Sequence, residues 1–282
     1  MESVKIFPKP FPVIATFAAW MRLREIIFFE DRVEAGGKTI FYRDVITLTC
    51  IRERAPIPFI SNNNYIFQIA AETEIIAFSS GSIPLLSLWG MGENPCDKAF
   101  LRLVELSHRY VVPELAQKFH EMIEGTDDWI NICGVLFSKK GICVWHRTRR
   151  FEFVPWSAVY AASSEPFRAS SLMWPCLHIY KQTDVGPVDV FGHRMEYLNF
   201  RFIKSNMLVM PELIALCKRT FGAEMVMSAE SLSEIKPNDL KIKHIPFLPE
   251  GIYKKTRKSI IKVFLIIMTL FLLEILILNL LD

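Results

Sequence analysis

The 24 residues from Ser259 to Asp282, SIIKVFLIIMTLFLLEILILNLLD, leave a chain like this little freedom. Between Ile260 and Leu281 only Lys262, Thr269, Glu274 and Asn279 are not apolar. As a helix rising about 1.5 Å per residue, Ser259 to Leu281 would measure roughly 34 Å, enough to cross a hydrocarbon core of about 30 Å. Eighteen strongly apolar residues, at about 0.3–0.6 kcal/mol each, outweigh one intramembrane carboxyl costing about 3 kcal/mol. The four polar positions do not fall on one stripe at about 100° per residue, so an amphipathic helix on a soluble fold does not account for the run. The expectation is one transmembrane helix over residues 259–281. Glu274 would then be an intramembrane carboxyl, beyond the centre of the span.

Charge orients the span. Lys254, Lys255, Arg257 and Lys258 precede it, Lys262 sits in its first turn, and only Asp282 follows. Basic flanks mark the cytoplasmic side, so residues 1–258 are expected to face the cytosol in a single-pass arrangement. The same cluster would rest on the membrane surface, each cation adding about 1 kcal/mol of attraction to anionic lipid. Near the other end, the apolar run from Phe11 to Trp20 resembles a signal peptide weakly. Glu2, Pro8, Pro10 and Pro12 disturb that pattern, and the run reads better as part of a first strand.

The basic surplus is local. Residues 236–282 hold eight of the 33 Lys and Arg and four of the 30 Asp and Glu, leaving 25 basic against 26 acidic groups in residues 1–235. A nucleic-acid partner, which needs a basic face on the folded part, is therefore not expected. The six cysteines, Cys50, Cys96, Cys133, Cys143, Cys176 and Cys217, show no Cys-x-x-Cys spacing and no histidine at ligand distance. In a cytosolic segment they are expected as reduced, mostly buried thiols.

A self-match organises the first 225 residues. Val112-Pro113-Glu114-Leu115 opens one helical stretch and Met210-Pro211-Glu212-Leu213 another. In both, proline stands where a helix needs no N–H and glutamate suits the positive end of the dipole. Ahead of each lies a strand-like run, Ala99–Leu106 and Glu196–Ile203. Further upstream Lys38–Thr49, after Gly36-Gly37, corresponds to Arg150–Ala161 after a polar turn, and each reads as one continuous strand. Ser61–Asn64 and Ser79–Pro84 read as loops, and residues 162–175 as a long irregular connection. The expected units are residues 12–125 and 127–225, joined by a basic juxtamembrane linker over 226–258 to the transmembrane helix.

The segments Phe41-Tyr42-Arg43-Asp44-Val45 and Val154-Pro155-Trp156-Ser157-Ala158-Val159, each following a polar turn, resemble the pleckstrin-homology-like superfold, including its bacterial and GRAM-type members. The resemblance covers most of residues 12–225, twice. It implies an α+β, mainly β class: two tandem antiparallel barrels, each closed by a C-terminal helix, followed by the transmembrane helix.

Motifs for chemistry are sparse. Ser79-Ser80-Gly81-Ser82 lacks the Gly-x-Ser-x-Gly of a nucleophile elbow, and Gly90-Met91-Gly92 lacks the third glycine of a dinucleotide loop. No spacing asks for a metal or a cofactor, and the chain is expected not to be an enzyme. Two basic turns are the candidate ligand site: Lys139 and Lys140 on one, Arg147, Arg149 and Arg150 on the next, with Trp145 between them. If both turns met at one barrel end they would suit a phosphate-bearing lipid headgroup; solvated hairpin tips are the ordinary alternative. The expected role is a membrane-anchored module that binds a lipid headgroup or a protein partner at the bilayer surface. The competing expectation is an anchored immunity or inhibitor protein that neutralises a toxin.

Overall fold

A computed structural model describes residues 1–6, 24–57, 60–81, 95–132, 134–145, 151–169, 172–194, 205–222 and 241–245. The architecture is α+β, mostly strands with few helices. Strands β1 (Glu2–Ile6), β2 (Arg24–Phe28), β3 (Arg32–Ala35) and β4 (Lys38–Phe41) form an antiparallel sheet in chain order. Gly36 and Gly37, at φ 58° and 77°, make the two-residue turn between β3 and β4. Both positions are left-handed, which glycine adopts at little cost.

After β4 the chain makes a single 3-10 turn, Tyr42–Asp44, and enters a second antiparallel sheet of β5 (Thr47–Ile57), β6 (Ile60–Ala70) and β7 (Ile75–Gly81). Helix α1 (Pro95–Leu106), a π-helical turn (Ser107–Val111) and helix α2 (Val112–Glu124) follow. The order then recurs. Strands β8 (Trp129–Ile132), β9 (Val135–Ser138), β10 (Gly141–Trp145) and β11 (Phe151–Pro155) lead to a 3-10 turn, Trp156–Ala158. Three further antiparallel strands come next, β12 (Val159–Ala169), β13 (Leu172–Thr183) and β14 (Gly186–Arg194), and then helix α3 (Met210–Phe221).

The stretches expected as single strands, Lys38–Thr49 and Arg150–Ala161, are thus each broken by a 3-10 turn, and at equivalent points. An aromatic side chain turned inward is the cause in both. Tyr42 is buried and its hydroxyl donates to the Phe29 carbonyl at 2.8 Å; Trp156 is buried and its Nε1–H donates to the Ser138 carbonyl at 2.9 Å. Each acceptor lies at the hairpin turn between the second and third strands of its own four-strand group. The ring fills the core and its polar atom finds a partner there, which a straight strand would not allow. The valine after each turn, Val45 or Val159, is buried and returns its N–H to the aromatic residue's carbonyl.

Other expectations need correction. Ala99–Leu106 is helical, because Phe100, Leu103 and Leu106 are buried at helical spacing while Leu101 is exposed. Helix α2 opens at Val112 with Pro113 in its first turn, as expected, and the π-turn continues α1 into it without a break. Pro113 has no N–H to offer the Arg109 carbonyl, and the π-turn over Ser107–Val111 stands where that bond is missing, with the Val112 N–H bonded to the Ser107 carbonyl. Ser61–Asn64 and Ser79–Gly81 are paired strand residues, in β6 and β7. Within residues 162–175, β12 and β13 make a long hairpin. Glu196–Ile203 and Phe11–Trp20 lie outside the described residues.

The segment expected as linker also contributes structure. Strand β15 (Ile242–His244) pairs in parallel with β8, tied by the Trp129 N–H to the Lys241 carbonyl and the Ile245 N–H to the Asn131 carbonyl. It makes β8 an inner strand of a five-stranded sheet.

One continuous core joins both halves, with Phe28, Leu48, Leu115 and Phe119 from one and Phe137, Trp156, Leu177 and Leu213 from the other. α2 packs on α3, where His120 Nε2 meets Thr220 Oγ1 at 2.8 Å and its ring stacks on Phe221. Asn206, buried and left-handed at φ 66°, closes the seam on β5. Its Oδ1 accepts the Leu48 N–H at 2.8 Å and its own N–H donates to the Leu48 carbonyl. One residue thereby does the work of a short paired strand. Cys50, Cys143 and Cys217 are free thiols; burial pushes Cys50 and Cys217 up to about 12 and raises Cys143 as well, so all three stay protonated and unreactive. The side chains of Cys96, Cys133 and Cys176 lie outside the described residues.

Among the described residues no sheet closes on itself into a barrel, and no helix is long and apolar enough to cross a membrane. Residues 259–281 lie outside them.

Candidate partner-binding cleft

Among the described residues the outer edge of β7 pairs with no strand, while its other side pairs with β6. The Ala71 N–H donates to the Glu74 carbonyl at 2.9 Å and closes the β6–β7 hairpin. Antiparallel strands alternate inward and outward backbone groups, so in the register Ala70↔Ile75, Gln68↔Ala77 and Ile66↔Ser79 the β7 partners direct N–H and C=O away from β6. Among the described residues one of these groups has a partner: Lys38 Nζ donates to the Ile75 carbonyl at 2.7 Å.

A cleft of about 770 Å³ runs beside this edge. Ile75–Phe78 of β7 form one wall, and Gly36-Gly37 with Lys38 and Thr39 of β4 form the other. Glu25, Ile27 and Glu34 also line it. A second hollow of about 400 Å³ also reaches Thr39 and is lined by Asp44, Glu72, Glu74 and Lys118.

The two hollows carry five carboxylates and two lysines. Neither lysine neutralises an acid there: Lys38 is on the Ile75 carbonyl, and Lys118 Nζ donates to the carbonyls of Arg43 and Val45 at 3.2 and 3.0 Å. Glu34 accepts from Arg32 Nε at 2.8 Å and Asp44 stands 3.9 Å from Arg43. The cleft is therefore a strand edge with acidic flanks and a partly apolar floor.

Of the candidate cations of the second half, two lie among the described residues. Lys139 and Lys140 form the turn from β9 to β10, where Lys139 Nζ is 3.0 Å from Asp127 and the Lys140 N–H bonds Ser138 Oγ. Trp145 is the last residue of β10, paired with Phe151. Arg147, Arg149 and Arg150 belong to the following connection, outside the described residues. The Lys139-Lys140 turn adjoins the Gly141 end of β10 and Trp145 stands at the other end, about 13 Å of strand away at 3.3 Å per residue. Lys254, Lys255, Arg257, Lys258, Lys262 and Glu274 also lie outside the described residues.

In the repeated order the glycine turn Gly36-Gly37 corresponds to residues 146–150, so the first half carries a small turn and acidic walls where the second carries arginines. Glu25, Glu34, Glu72 and Glu74 were not singled out from the sequence. Glu72-Thr73-Glu74 at a hairpin tip was the available signal, and only strand pairing gives it meaning.

No family model, no curated protein and no solved structure matches the chain.

Proposed function

We propose that the chain is a membrane-tethered, cytosol-facing tandem module of the pleckstrin-homology-like class that binds a protein partner at the bilayer surface and is not a catalyst. Residues 259–281 are the tether, with Lys254, Lys255, Arg257, Lys258 and Lys262 at its cytosolic mouth. The class is supported by the doubled order of four strands, aromatic 3-10 turn, three strands and helix; each unit is read as a bent barrel plugged by its helix.

The observation that carries the binding role is the β7 edge, unpaired among the described residues, beside an acid-flanked cleft. It favours a protein over an anionic headgroup, because the carboxylates of the two hollows repel phosphate.

Deleting residues 259–282 tests the tether. The full chain is expected to stay in the pellet after carbonate extraction and the shortened chain to move to the supernatant. A shortened chain that still resists carbonate contradicts the reading.

A further inference from the structure

We infer that the β4–β7 cleft takes an extended, lysine- or arginine-rich segment of a partner protein, added as a further strand to β7. The inference rests on the proposed binding role and names the partner's chemistry.

The backbone carries the first part. Ile75, Ala77 and Ser79 direct N–H and C=O groups out of the sheet, and an edge of this kind is completed by a strand. Lys38 already does a fragment of that work, its ammonium occupying the Ile75 carbonyl as a stand-in for an incoming N–H. The cleft beside the edge has room for a strand and its side chains, and the Gly36-Gly37 turn keeps the opposite wall low.

Charge selects the occupant. Side chains alternate along an added strand. One set would lie over Ile27 and Phe78, and basic side chains would find Glu25 and Glu34 in the cleft and Glu72 and Glu74 in the adjoining hollow. Glu25, Glu72 and Glu74 make no ion pair among the described residues, and Lys118 is held on backbone carbonyls. An acidic segment would face like charge. So would a second β7 edge from another copy of the chain, which argues against self-pairing.

The test uses the full chain in detergent micelles and a fluorescein-labelled ten-residue peptide of alternating lysine and valine, read by fluorescence polarisation. A peptide with glutamate in place of lysine is the charge control. The lysine peptide should bind saturably and more weakly as salt rises, and the glutamate peptide should not bind. Reversing Glu25, Glu72 and Glu74 to lysine, all exposed, should weaken binding by about tenfold or more. Ala77→Pro removes an outward N–H at an edge position that tolerates proline, and it should cause a loss of about tenfold with every carboxylate in place. Circular dichroism melting of each variant must match the parent chain.

Lysine-peptide binding unchanged by Ala77→Pro overturns strand addition, and binding of both peptides alike overturns the charge assignment. No binding to the parent chain overturns the inference while leaving the tethered-module reading intact. Failure of the carbonate experiment strikes that reading and leaves the cleft untouched.

Discussion

Trp156→Ala is expected to lower the stability of the folded chain by about 3–5 kcal/mol, the range for removing a large buried aromatic. Trp156 is 1% exposed, stacks near Phe137 at 6.3 Å between centroids, and gives its Nε1–H to the Ser138 carbonyl at 2.9 Å. Truncation opens a cavity at the point where β11 turns into β12 and leaves a buried carbonyl without its donor. For a domain of this size the melting temperature should fall by about 10 °C. Trp156→Phe keeps part of the ring and should cost distinctly less. Tyr42→Phe, which removes only the hydroxyl bonded to the Phe29 carbonyl, should cost about 1 kcal/mol. Thermal melts followed by circular dichroism rank the three. Equal effects for Trp156→Ala and Tyr42→Phe would mean that the turn does not organise the core as described.

Asn206→Ala is the second large effect, at about 2–4 kcal/mol. Alanine in the left-handed region costs about 1–2 kcal/mol, and the buried Leu48 N–H loses its only acceptor among the described residues, at about 1–3 kcal/mol. Asn206→Gly separates the two contributions, since glycine accepts the backbone angle but supplies no acceptor. It should be milder than alanine by about 1 kcal/mol. Because Asn206 joins the start of α3 to β5, amide hydrogen exchange at Leu48 should accelerate in both variants. Protection at Leu48 equal to that of the parent chain contradicts the seam.

These two sites mark the boundary of what the sequence could disclose. The doubled Pro-Glu-Leu and the aromatic segments around Tyr42 and Trp156 are local patterns, so strand order and the start of α3 were readable from them. The break after Phe41 and after Pro155 was not, because alternation continues through both turns. Only the burial of one aromatic atom against a distant carbonyl makes the kink favourable. Ala99–Leu106 alternates as a strand would, yet its packing follows Phe100, Leu103 and Leu106, a choice made by tertiary contact. Asn206 sits 158 positions from Leu48, and β15 pairs with β8 across more than a hundred residues; neither leaves a local trace. The β7 cleft is the same kind of case, because an edge exists only relative to the strands that do or do not adjoin it. Lys139 and Lys140 were legible as a turn.

Protease protection of the full chain, carrying an epitope after Asp282, tests the tethered-module account most directly. Sealed vesicles with the cytosolic face outward are treated with protease and probed for the epitope. A cytosol-facing module on a single span predicts that residues 1–258 are digested and that a short epitope-bearing fragment, little longer than 259–282, survives until detergent is added. Survival of the whole chain without detergent, or loss of the epitope without it, contradicts the proposal.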